Sequence, residues 1–210
     1  MGKPLEIAVS CLVLGIGLAS TAHAQSITQK FPFSFTPSLT SSGREYLQVN
    51  NLAYNGFNPA LGTLKSVYIK ISYKYFFRNG WENTDVIPKF IAWEHIGDAG
   101  LGWNDGPFDY VPAIQAVTRT DYVSPLMGPY DGKINQFGAS GFRVDHIGAA
   151  SQVASITATS PNFTRFIGNE AKEIQFYSRL TVFVRPDNHA YFGAKVNGTV
   201  QITYFYTPAP

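Results

Sequence analysis

Apolar and polar residues alternate along much of this chain with a period of two. In 66–77 the odd positions Val67, Ile69, Ile71, Tyr73 and Tyr75 are apolar or aromatic, while Ser66, Lys70, Ser72 and Lys74 hold the other parity. Successive side chains of an extended strand point to opposite faces, so the segment predicts a strand with one buried side. Two further segments read the same way. In 174–184, Ile174, Phe176, Leu180, Val182 and Val184 oppose Gln175, Arg179 and Thr181, and in 199–206, Val200, Ile202, Tyr204 and Tyr206 oppose Gln201 and Thr203. Phe31, Phe33 and Phe35 alternate with Pro32, Ser34 and Thr36. Proline brings no amide hydrogen to a ladder, which predicts an edge position for this first strand. Shorter strands are predicted at 45–49, 86–96, 113–118, 142–147 and 152–159. No helical period of useful length occurs. Asn55-Gly56 marks a turn, and 97–112 and 121–141 are punctuated by Gly, Pro, Asn and Asp, predicting two long loops. Loops of that kind are where a β scaffold displays function.

The beginning of the chain departs from this pattern. Lys3 is followed by an apolar run over 7–18 and then by Ala22-His23-Ala24, the charge, core and small-residue cleavage site of a secretory leader. The run is too short for a comfortable membrane span, which needs about 20 apolar residues. Cleavage before Gln25 is therefore expected, with residues 1–24 as signal peptide and 25–210 as one domain. Cys11 sits inside the apolar run with Ala8 three residues before it, which does not suit a lipid-modified cysteine. It is the only cysteine, so the processed chain is expected to hold together by packing alone.

Composition sharpens the class. Charged residues make up 14% and aromatics 15% of the chain, with 19 Gly and 13 Pro, a mixture suited to strands joined by tight turns. The net charge is +2, and no basic run of the kind that tracks phosphates is present, which argues against nucleic acid as a partner. The expectation is an all-β fold, a single antiparallel β-sandwich of jelly-roll or Ig-like type with long loops.

Candidate chemistry is sparse. Gly138-Ala139-Ser140-Gly141-Phe142 lacks the last glycine of a nucleophile elbow. Asp145 and His146 are neighbours on a predicted strand and so face opposite ways. His95, His146 and His189 share no metal-ligand spacing. Asp98, Asp105 and Asp109, with Asn104, cluster in the first predicted loop as candidate calcium ligands, although Trp103 stands where an EF-hand loop wants glycine. Glu82, Asp85, Glu94, Asp105 and Asp109 offer carboxylates without a spacing that selects a glycosidase pair. Trp103, Tyr110 and Tyr122, with Trp81, Trp93 and Tyr130, lie in or near the predicted loops, where exposed rings would stack on sugar faces.

Three segments carry a resemblance. They are Phe57-Asn58-Pro59-Ala60-Leu61-Gly62-Thr63-Leu64 leading into the strand at 67–75, then Phe166-Ile167-Gly168 before a strand, and Val200-Gln201-Ile202-Thr203-Tyr204-Phe205-Tyr206-Thr207-Pro208. In this order the chain resembles the bacterial choice-of-anchor E domain family, whose members often end in a PEP-CTERM sorting signal. The resemblance implies a β-sandwich at the cell surface or in the extracellular matrix, and it supplies no catalytic residues. No apolar tail or basic cluster precedes Pro210, so that sorting signal is not expected here. Secretion, periplasmic residence or assembly with other proteins is expected instead. The leading expectation is a non-enzymatic exported structural protein without a cofactor, self-associating through edge strands. The alternative is an extracellular module that binds polysaccharide through Trp103, Tyr110 and Tyr122.

Overall fold

The computed structural model of the protein describes residues 24–36, 38–39, 45–104, 110–185 and 189–210. Nine strands are found among them: β1 (Gln25–Phe35), β2 (Ser38–Leu39), β3 (Glu45–Asn55), β4 (Gly62–Glu82), β5 (Ala92–Asn104), β6 (Tyr110–Val123), β7 (Gly141–Thr157), β8 (Ala171–Arg185) and β9 (His189–Pro208). Two short 3₁₀ turns, Pro59–Leu61 and Phe163–Phe166, lie between strands. The predicted leader falls outside the described residues except for Ala24.

The strands form two antiparallel sheets, one ordered β1-β9-β4-β7 and the other β2-β3-β8-β5-β6. Setting aside the two-residue β2, the chain crosses between sheets so that first pairs with last and inner strands nest within outer ones. This interleaving is the jelly roll, and it decides between the two sandwiches that the alternation pattern left open. β1 is an edge, as Pro32 predicts.

Period-two segments supply the core. The inward residues Val67, Ile69, Ile71, Tyr73, Tyr75 and Phe77 of β4 are each at most 2% exposed. They pack with Leu101 of β5, Ile174, Phe176 and Leu180 of β8, and Val196, Val200, Ile202 and Tyr204 of β9. Phe33 of β1 reaches Phe176 in the opposite sheet, with ring centroids 4.3 Å apart. Tyr73 ties the sheets by a polar contact, its hydroxyl donating to the Gly97 carbonyl at 2.7 Å. Burial raises the Tyr73 pKa far above its ordinary value. Near the start of β4 the register slips between Leu64 and Ser66, and the extra residue Lys65 lets Leu64 and Val67 both point inward.

The largest departure from the predicted elements is the segment 97–112. Most of it is strand, the end of β5 and the start of β6, rather than loop. Glycine reads as punctuation in a sequence, but here it makes room for rings. A Cβ on Gly97 would lie 2.7 Å from Cε1 of Tyr75, and one on Gly100 2.5 Å from Cε1 of Tyr177. Gly148 does the same in β7, where a Cβ would meet Cζ of Tyr75 at 2.1 Å, so the strands predicted at 142–147 and 152–159 run on as one. Gly148→Ala is therefore expected to cost about 1–3 kcal/mol through overpacking, measured as a lower midpoint in urea with an unchanged slope. An unchanged midpoint would mean that the Tyr75 ring has room to move aside.

The second predicted loop survives in shortened form as 124–140, since β6 runs to Val123. The strand predicted at 86–96 begins only at Ala92, and the residues before it form a loop held by a bridge between Lys89 and Met127. A small second core sits beneath these loops, where Trp81 and Trp93 pack with centroids 4.1 Å apart beside Ile91 and Met127. Glu82, fully buried, secures the longer loop. Its carboxylate accepts from the Ser140 hydroxyl at 2.6 Å, the Gln136 amide at 2.7 Å and the Asn135 amide at 3.2 Å.

Candidate functional site

The candidate residues read from the sequence do not converge. Trp103 lies at the inward side of β5, 5% exposed, edge-to-face with Phe166 and beneath the Arg165 guanidinium, 5.2 Å from its ring. It is a core side chain rather than a loop platform. Tyr110 opens β6 opposite Asn104, whereas Tyr122 stands near the other end of β6 opposite Trp93. Twelve residues of strand separate the two tyrosines by roughly 40 Å, so they cannot share one sugar with Trp103.

The acidic candidates also disperse. Asp98 sits in mid-strand on β5, 2% exposed, where Arg179 on the neighbouring β8 donates to its Oδ2 from Nη2 at 2.6 Å and from Nε at 2.9 Å. That guanidinium occupies the carboxylate expected to face calcium. Asp105 and Asp109 lie outside the described residues. Among the described residues no three of His, Cys, Asp or Glu come together as a metal site.

Asp145 and His146 do face opposite ways. Asp145 points out and pairs with Arg78 at 3.0 Å, while His146 points in beside Tyr75. The sequence did not suggest that His146 and His95 would meet, yet their rings lie 5.9 Å apart between the sheets. The Asn79 side-chain amide meets His95 Nε2 at 3.1 Å in the buried space between the sheets. Burial pushes the His95 pKa down to about 3, with the neighbouring His146 adding to the shift.

The surface with the most distinctive chemistry is the outer face of the four-stranded sheet. Register sets its outward residues in rows across β1, β9, β4 and β7. One row is Lys30, Gln201, Lys70 and Val153, the next Pro32, Thr199, Ser72 and Ser151, and the third Ser34, Asn197, Lys74 and Ala149. Short polar side chains in the last two rows bond to one another. Ser72 and Ser151 meet at 2.8 Å, and Ser34 donates to Asn197 Oδ1 at 2.7 Å. Taller residues flank them, Lys70 and Val153 on one side and Lys195, Phe76 and Ile147 on the other. The result is a shallow trough of about 590 Å³ crossing β9, β4 and β7.

Charge on the two sheet faces differs. Lys30, Lys70, Lys74 and Lys195 are all exposed on the trough face. Among the described residues none of the four has a carboxylate at ion-pair distance, because Asp145 on that face is held by Arg78. The opposite sheet carries its acids outward instead, with Asp98 on Arg179 and Glu94 on Arg119. Alternation at 66–77 showed Lys70 and Lys74 sharing a face; the alignment of β1, β9 and β7 beside them needed tertiary pairing.

Fold and surface together define a jelly-roll domain with one cationic, hydroxyl-rich sheet face. No protein-family model matches the chain, and no curated protein matches its sequence. Among solved structures, a chain in the structure of infectious bursal disease virus Gt strain is 10% identical over 94% of this chain, with a TM-score of 0.25. This chain spans 43% of the length of that one. The BFDV capsid protein in its 60-mer is 14% identical over 90% of this chain and 95% of its own, with a TM-score of 0.23. Desmodium yellow mottle tymovirus gives 10% identity over 100% of this chain and 97% of its own, with a TM-score of 0.20. Scores this low do not bear on what the chain does, and the fold stands on its own strand pairing.

Proposed function

We propose that this chain is an exported, non-enzymatic domain that works by surface contact outside the cytoplasm, in keeping with its resemblance to the choice-of-anchor E family. One observation carries the reading: among the described residues, Glu82, Asp85, Asp98, Asp145, Glu170 and His95, groups able to do acid or base chemistry, are committed to the fold. Glu82 holds a loop, Asp98, Asp145 and Glu170 pair with Arg179, Arg78 and Lys172, and Asp85 pairs with Lys89. His95 is kept neutral between aromatic rings. A general acid or base needs access to a substrate as well as a tuned pKa, and these groups have a protein partner in that place.

Self-association by strand addition at β1 is the less favoured route of contact. Phe31 and Phe33 turn inward, 1% and 9% exposed, so the edge presents backbone only. Lys30 and Pro32 stand in its middle, and both residue types obstruct a neighbouring strand. The sheet face is the better contact surface.

Fractionating the native producer tests this reading. Processed protein beginning near Gln25 is expected outside the cytoplasm, and the purified domain is expected to leave polysaccharides and esters intact. Full-length protein retained in the cytoplasm, or turnover of a substrate that follows the purified domain, would refute it.

A further inference from the structure

We infer that the trough on the four-stranded sheet binds an extended anionic polysaccharide, its acidic groups seated on Lys30, Lys70, Lys74 and Lys195. The inference rests on the reading of the chain as a contact-making domain and names the contact. Three features of the trough select this occupant.

The first is charge. Four exposed lysines surround the trough without acidic partners among the described residues, so their field is uncancelled and attracts a polyanion. They are also spread out. Lys30 and Lys70 stand two strands apart, roughly 10 Å, and Lys70 and Lys74 four residues apart along β4, roughly 13 Å. Cations spaced in this way suit charges repeated along a chain better than a single small anion, which would gather them around one point.

The second is the floor. Ser72, Ser151, Thr199 and Asn197 offer hydroxyls and an amide, groups that both donate and accept. A hydroxyl-rich chain meets its own chemistry there. A single-stranded nucleic acid gains affinity from exposed rings on which bases stack, and the one ring lining the trough, Tyr73, is inward and 2% exposed. A stable protein partner needs an apolar centre to its interface, and here the exposed apolar side chains Val153 and Ile147 stand to either side of the trough on β7, while hydroxyl and amide groups lie between the lysines.

The third is shape. The trough is shallow and crosses three strands rather than sinking between the sheets, so an occupant can enter and leave along its length. A polymer requires such an opening, whereas a small metabolite is held in a site that buries most of its surface.

The test uses the purified processed protein in affinity electrophoresis through gels containing polygalacturonate, with dextran as the neutral polymer and polyphosphate as the alternative polyanion. Polygalacturonate is expected to retard the protein at low ionic strength, dextran is not, and polyphosphate is expected to act more weakly. Lys70→Glu with Lys74→Glu is expected to weaken retardation at least about tenfold, as reversing charges at a complementary surface does. Ser151→Phe and, separately, Ala149→Tyr fill the trough without changing charge and are expected to weaken it as well. A thermal melt of each variant confirms folding. Absence of retardation by polygalacturonate overturns the proposal, and so does retardation that survives both filling substitutions, which would mark diffuse attraction outside the trough. Polyphosphate binding as tightly as polygalacturonate would replace the glycan with a phosphate polymer. Cleavage of polygalacturonate during the assay would refute the non-enzymatic reading while leaving the binding site in place.

Discussion

A thermal melt recorded at pH 4 is expected to lie far below one recorded at pH 7, because of His95. Its ring stacks on Phe77 at 4.4 Å and is buried between the sheets. Desolvation opposes the charged imidazolium there, and His146 nearby opposes it further, so the folded pKa falls from 6.5 to about 3. In the unfolded chain the same residue takes up its proton near 6.5. Between those two values the unfolded state holds more protons than the folded state, so stability rises with pH across that window and is lost as pH falls through it. At pH 4 the loss amounts to roughly 3 kcal/mol, a large share of a typical total of about 5–15 kcal/mol. His146, whose pKa is also lowered by burial, acts in the same direction. His95→Gln supplies a side-chain amide that can bond Asn79 and removes the titration, so its melting temperature is expected to vary much less with pH. Equal pH dependence in the wild type and this variant would show that His95 is not the group responsible.

Glu82→Ala is expected to be comparably damaging. The carboxylate is fully buried at the end of β4 and accepts three hydrogen bonds from residues of 135–140. Truncation leaves two amides and a hydroxyl without that acceptor, next to the pair Trp81 and Trp93. Each unsatisfied group costs about 1–3 kcal/mol when it stays buried, so a total of about 3–5 kcal/mol is expected, near that of breaking a buried polar pair. Loop 124–140 would loosen before the sandwich does. Limited proteolysis is the sensitive readout, with new cleavage inside 124–140 at temperatures where the wild type resists. Glu82→Gln retains an acceptor oxygen and is expected to fall between the two. A variant as resistant as the wild type would show that the loop is held by its other contacts, such as the Asn83 side chain donating to the Gly128 carbonyl at 2.7 Å.

Both predictions concern residues whose importance is invisible in a linear reading. Glu82 and His95 carry no motif, and each became central because the fold brought loop amides to one and a second imidazole to the other. Trp103 illustrates the opposite case. Its glycine-rich surroundings suggested an exposed loop ring, but those glycines admit Tyr75 and Tyr177 into the packing, and the tryptophan became part of the core.

What the order of residues determined by itself is the local geometry. Alternation over 66–77, 174–184 and 199–206 dictated strands and named their buried sides, since apolar side chains on one parity gain by leaving water together, and Pro32 marked β1 as an edge. Tertiary structure decided which strands became neighbours. Period-two alternation is the same in every β-sandwich, so it carries no record of partner or register. Only pairing β1, β9, β4 and β7 in that order aligned four scattered lysines around a floor of short hydroxyl residues, and only closing the second sheet over the first turned His95 into a neutral, buried base.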